Sequence, residues 1–128
     1  MKSTVPSRSD QSPSAGEVMN VRDALNRLGD DEDLLRDIMQ IYLEDAPAMI
    51  EKIHKAVAAS DGNSLQRAAH SLKGLAATLS AHEVVGAAAR LEHIAASRNL
   101  SEAELSAAEV EQRVSELNQA AQQFLRRK

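Results

Sequence analysis

The order of apolar and polar residues changes character near position 17. Residues 1–16 are rich in Ser and Pro with almost nothing apolar, so they are expected to form a disordered tail or a linker to a larger protein. Residues 17–128 are expected to form one domain. There, apolar residues recur at helical spacing. Val21, Ala24, Leu25 and Leu28 share one side of a short helix from about Asn20 to Leu28, which Gly29 stops. Asp30 or Asp31 caps the next helix, which carries Leu34, Leu35, Ile38, Ile41, Tyr42, Met49, Ile53, Ala56 and Val57, with Met39 and Met49 as core filler. Pro47 inside this pattern predicts a kink or a split. Asp61-Gly62 is a turn signal, and Asn63 with Gln66, Ser80 with Glu83, and Ser101 with Glu104 have the spacing of capping boxes. These starts divide the second half into helices of about 63–79, 81–97 and 102–126. The last shows a heptad seam of Ala103, Ala107, Val110, Val114, Leu117, Ala121 and Phe124. The fold expected is all-α: an antiparallel up-down-up-down four-helix bundle with a short extra N-terminal helix across one end.

Composition supports helices. Hydrophobic residues make up 43% of the chain, but much of this is alanine, and aromatics are only 2%. Alanine is the best helix former, whereas strands favour aromatic and β-branched residues. The formal charge of −4, with both signs interspersed, argues against nucleic acid as a partner. The basic run Arg126-Arg127-Lys128 sits at a helix end, where cations suit the dipole. Cysteine is absent, which excludes disulfides and thiolate metal sites. With no apolar run of membrane length and no secretory signal, a cytoplasmic protein without direct membrane contact is expected.

The segment Gln66-Arg67-Ala68-Ala69-His70-Ser71-Leu72-Lys73-Gly74-Leu75-Ala76-Ala77 carries the chemistry. Leu65, Ala68, Ala69, Leu72, Leu75, Ala76 and Leu79 cluster on one face of a helix, and His70 falls roughly 170° from its centre. The imidazole is therefore expected in solvent. Gln66, Arg67, Lys73, Gly74 and Ala77 neighbour it at three-, four- and seven-residue offsets. Lys73 and Arg67 are placed to lie against an anionic group on the ring. Gly74 costs about 1 kcal/mol relative to alanine in mid-helix, and on an exposed face it gains nothing in packing. Clearance for an approaching partner, extended by Ala77, is a reason for it; an accidental glycine beside a solvated charged face is the bland alternative. An imidazole in water titrates near neutrality and offers a nucleophilic lone pair to an activated phosphoryl group. The segment supplies no nucleotide loop, magnesium site or general base, so a donor protein must bring the rest.

His70-Ser71-Leu72-Lys73-Gly74 resembles the signature His-x-Leu-Lys-Gly of the histidine-containing phosphotransfer (HPt) family, preceded by an Ala-Ala pair and followed by small residues. Ala89-Arg90-Leu91-Glu92 resembles the last four positions of the family's Ala-x-x-Leu-Glu pattern on the next helix. The similarity runs from about Val21 to the C-terminus, and Ser80 departs from it where many members have glycine. The resemblance implies a four-helix bundle that relays phosphate between aspartates of response-regulator receiver domains. On that basis His70 is the phosphoacceptor, Lys73 the basic residue near the phosphoryl oxygens, and Gly74 the small residue admitting the receiver. It implies no cofactor in this chain, magnesium coming with the receiver. It also implies partnership with receivers and with a hybrid sensor kinase, the chain being free-standing or part of that kinase, and a monomeric state.

Two other functions fit the same residues. One is the phosphoacceptor domain of a chemotaxis-type histidine kinase; the other is a helical interaction module whose histidine is incidental. His54, His82 and His93 are expected to be ordinary surface residues, and none has the spacing of a zinc motif. Glu92 beside His93 is expected to border the bundle and order the active face. Ile41, Tyr42, Met49 and Ile50 are expected to leave apolar surface beside His70.

Overall fold

The computed structural model describes residues 18–127, so the N-terminal segment 1–16 lies outside the described residues, as does Lys128. Five α-helices make up the described chain: α1 (Val21–Arg27), α2 (Glu32–Ala58), α3 (Gly62–Thr78), α4 (His82–Ala96) and α5 (Ala103–Arg126), with a 3-10 turn at Leu100–Glu102. Helices α2 to α5 run up, down, up and down, each packed on its sequence neighbours, with α2 closing the square against α5. The expected architecture and helix order are met. No described helix is long and apolar enough to cross a membrane.

The expected apolar stripes are buried except in α2, where Leu35, Tyr42, Ile53 and Ala56 face the core while Leu34 and Ile41 lie exposed on the flank of the stripe. In α5 the whole heptad seam is buried, from Ala103 to Phe124. In α3 Leu65, Ala69, Leu72 and Ala76 are buried and Ala68 and Leu75 half-buried. The pair α3–α4 packs over a seam of small side chains, with Ala69 and Ala76 on one helix and Ala87, Ala88 and Ala95 on the other fully or almost fully buried. Small residues let two helix axes approach closely. At one end of the seam a Cβ added to Gly62 would lie 3.2 Å from the Ala95 carbonyl oxygen.

Several helix ends differ from expectation. Helix α2 runs unbroken through the exposed Pro47, so the chain is not split there. Asp31 caps α2, its carboxylate accepting from Leu34 N at 3.0 Å. Asp61, not Asn63, caps α3 by accepting from Ser64 N at 3.1 Å. Ser80 and Ser101 do not cap helices. Ser80 is the left-handed residue that ends α3, at φ 52°, and its peptide N–H donates to Ala77 O while Ala81 N donates to Ala76 O. This is the Schellman arrangement, in which glycine is favoured because it lacks a Cβ. Ser60 ends α2 the same way, at φ 53°. Ser101 lies in the 3-10 turn, whose cap is Asn99.

The buried Ser80 hydroxyl gains what its backbone loses. It donates to Asp23 Oδ2 at 2.6 Å and accepts from Arg27, which also donates to Ala77 O at 2.8 Å. Helix α1 is thereby tied to the C-terminal end of α3. At the opposite corner Arg36 donates to the carbonyls of Leu125 at 3.1 Å and Arg127 at 2.6 Å, satisfying the end of α5.

Ala88 lies on the side of α4 that carries Glu92 and faces α3. Ala88→Leu is expected to overpack the seam and cost about 1–3 kcal/mol, read as a lower urea midpoint.

Candidate functional site

His70 is held outward by the register of α3: its neighbours Ala69 and Leu72 are fully buried, while the imidazole is 68% exposed. Across the alanine seam, Glu92 follows the buried Leu91 on α4, and its carboxylate is shared between two partners. Oε2 lies 2.9 Å from Nδ1 of His70, and Oε1 lies 2.7 Å from Nζ of Lys73. Glu92 is 20% exposed and Lys73 31%, so water screens this pair less than an open surface pair. The hydrogen bond from Lys73 holds the Glu92 carboxyl below the usual glutamate range, the bond with His70 adds to this, and partial burial opposes both.

The tautomer follows from this charge state. An ionised carboxylate can only accept, so Nδ1 carries the proton shared with Glu92. In the neutral ring the lone pair then sits on Nε2, on the side away from α4. Glu92 therefore fixes both the plane of the ring and which nitrogen is free.

The two flanks of His70 differ. Lys73 and Gln66 lie about 40–60° round α3 toward α4, and Gly74 and Arg67 lie about as far the other way, toward α2. A Cβ added at Gly74 would meet nothing within 4 Å, so no packing within the bundle requires glycine there. Ala77, also exposed, continues the low strip. Arg67 is exposed and reaches Ser64 Oγ at 3.5 Å; Gln66 is half-buried.

Every expected site residue thus comes to one strip of α3, but Lys73 is engaged by Glu92 instead of standing free. The direct contact of Glu92 with the imidazole was not expected. Its signal lay in its place one step after a buried leucine on the neighbouring helix, yet only the packing of α4 shows how far it reaches. Tyr42 is not part of an apolar surface: it is fully buried, and burial raises its phenol well above the usual range. Met39 fills the core as expected, whereas Met49 is half-buried and lines an open groove. His54, His82 and His93 are exposed, His54 lying 3.1 Å from Glu111. No cluster suited to a metal ion occurs among the described residues.

A four-helix bundle that presents one oriented imidazole from the middle of a helix face defines a class of helical histidine-presenting modules. The Hpt domain family model matches residues 37–124, and the chain belongs to that family of histidine phosphotransfer proteins. The matched segment contains His70, Lys73, Gly74 and Glu92. The fold is similar to that of histidine-containing phosphotransfer protein B (HptB) from Pseudomonas aeruginosa PAO1, with a TM-score of 0.80 and 22% identity over 87% of this chain and 96% of that one. No curated protein sequence matches the chain.

At neutral pH the long-range proton–nitrogen spectrum of His70 is expected to show the Nδ1–H tautomer in excess, and Glu92→Ala to shift it toward Nε2–H. Because the Glu92 carboxyl is depressed, its hold is complete above the usual glutamate range and is lost as pH falls through its own lowered value. The corresponding release of Lys73 is read from the ammonium chemical shift in the same acid titration.

Proposed function

We propose that His70 accepts a phosphoryl group from the aspartyl phosphate of a response-regulator receiver domain and passes it to an aspartate of another receiver. The observation that carries this reading is the exposed imidazole with Nδ1 held 2.9 Å from Glu92, which leaves the Nε2 lone pair unshared with that carboxylate. The Nε2 lone pair attacks phosphorus, the bond from phosphorus to the aspartyl oxygen breaks, and its electron pair leaves on the aspartate carboxylate. The phosphorylated ring keeps its proton on Nδ1, where the Glu92 carboxylate offsets the positive charge. Lys73, one turn from His70, is within reach of the phosphoryl oxygens if it exchanges its partner. Magnesium belongs to the receiver, and this chain needs no cofactor of its own.

Gly74 supports the same reading. Its missing side chain benefits nothing inside the bundle and leaves room for a protein surface over His70. The setting proposed is cytoplasmic, as a monomeric free carrier or as part of a hybrid sensor kinase, with residues 1–16 as tail or linker.

Incubation with phosphorylated receivers is expected to label the chain with an acid-labile, base-stable phosphoramidate, and His70→Gln to abolish the label. Transfer that survives in His70→Gln rules the proposal out. Gly74→Ala is expected to raise stability by about 0.5–1 kcal/mol, and Gly74→Gln to keep helicity while slowing transfer. These opposite signs separate clearance from folding.

A further inference from the structure

A groove of about 570 Å³ opens between α2 and α3 on the Gly74 side of His70. Met49, Ala56 and Ala68 form its apolar lining, and Lys52, Lys55 and Arg67 bring three cations to it. Its one lining carboxylate, Asp61, is tied to the start of α3, accepting from Ser64 N at 3.1 Å and Ser64 Oγ at 2.7 Å. Lys52 makes no ion pair among the described residues, and Lys55 meets Glu51 only at 3.9 Å with both side chains largely exposed. Such exposed pairs contribute little. The groove is therefore a positive site in a chain whose formal charge is −4.

The charge is also sorted along the bundle. Helix α3 contains no carboxylate, while the first half of α2 carries Glu32, Asp33, Asp37, Glu44 and Asp45. Lys73, the other cation beside His70, is neutralised by Glu92. Asp61 offsets part of the charge of Arg67, but with three cations to one carboxylate the net positive charge near the imidazole lies on one flank, and Arg67 and Ser71 belong both to that flank and to the groove. A partner centred over His70 overlaps the groove at this end.

We propose that this groove captures an acidic segment bordering the phosphorylation cleft of the receiver, with Lys52, Lys55 and Arg67 taking its carboxylates. The inference rests on His70 being the phosphoacceptor and names the second contact of that encounter. A receiver that holds magnesium beside an aspartyl phosphate does so with carboxylates, so its approach face is acidic. Attraction to the groove and repulsion from the acidic half of α2 act together to fix which way round it lands. Charges at the rim of an interface act mainly on association rate and orientation.

The test is single-turnover transfer to His70 from a panel of receiver domains charged with radiolabelled acetyl phosphate, at salt from about 0.02 M to about 0.5 M. Lys52→Glu/Lys55→Glu is expected to lower the second-order rate constant about tenfold at low salt, with the gap closing as salt rises. Lys52→Gln/Lys55→Gln is expected to fall between it and the wild type, and circular dichroism to show unchanged helicity in both. Arg22→Glu/Arg126→Glu, which makes the same change in net charge elsewhere, is expected to transfer at the wild-type rate. Wild-type rates in the groove variants, or an equal loss in the Arg22/Arg126 control, overturn the groove while leaving His70 as phosphoacceptor. Failure of every receiver to label the wild type overturns both.

Discussion

The close approach of α3 and α4 over buried alanines governs the rest of the molecule. Ala69 and Ala76 on one helix and Ala88 and Ala95 on the other leave little side-chain bulk between the two backbones. At that separation the short side chain of Glu92 spans from α4 to both His70 and Lys73. Larger residues in the seam would move the carboxylate away, and the imidazole would rotate freely. The same alanines that give the helices their intrinsic stability therefore also set the orientation of the ring.

One carboxylate divides the surface around His70 into two unlike halves. On the α4 side, Glu92 neutralises Lys73 and leaves a compact, half-exposed network. On the α2 side, Gly74 lowers the surface and Arg67, Lys52 and Lys55 leave positive charge without strong partners. The contact that orients the imidazole and the net positive charge are in this way placed on different flanks.

The helix carrying His70 is secured at both ends by groups that were hard to see in isolation. Asp61 caps its start, and its end is held through Ser80, Asp23 and Arg27 of α1. The left-handed backbone of Ser80 costs what a glycine would avoid, and the buried hydroxyl is used in the tie to α1. Glycine at this position would relax the turn and lose the tie. The short α1 is thus a brace for α3 more than an addition to the core.

Local sequence determined the helices, their buried faces and the exposure of His70, because a period of 3.6 residues leaves a residue opposite the apolar stripe no other direction. It also determined the odd glycine at position 74, since an exposed mid-helix glycine is costly whatever surrounds it. Sequence spacing does not separate a capping serine from Ser80, which ends a helix in the left-handed region, or from Ser101, which sits inside a 3-10 turn capped by Asn99; the direction of the neighbouring peptide groups does. The burial of Tyr42, the half-exposure of Met49 and the reach of Glu92 all depend on how far apart two helices lie and how they are turned. Those are distances between residues remote along the chain, which packing sets and periodicity along one helix does not contain.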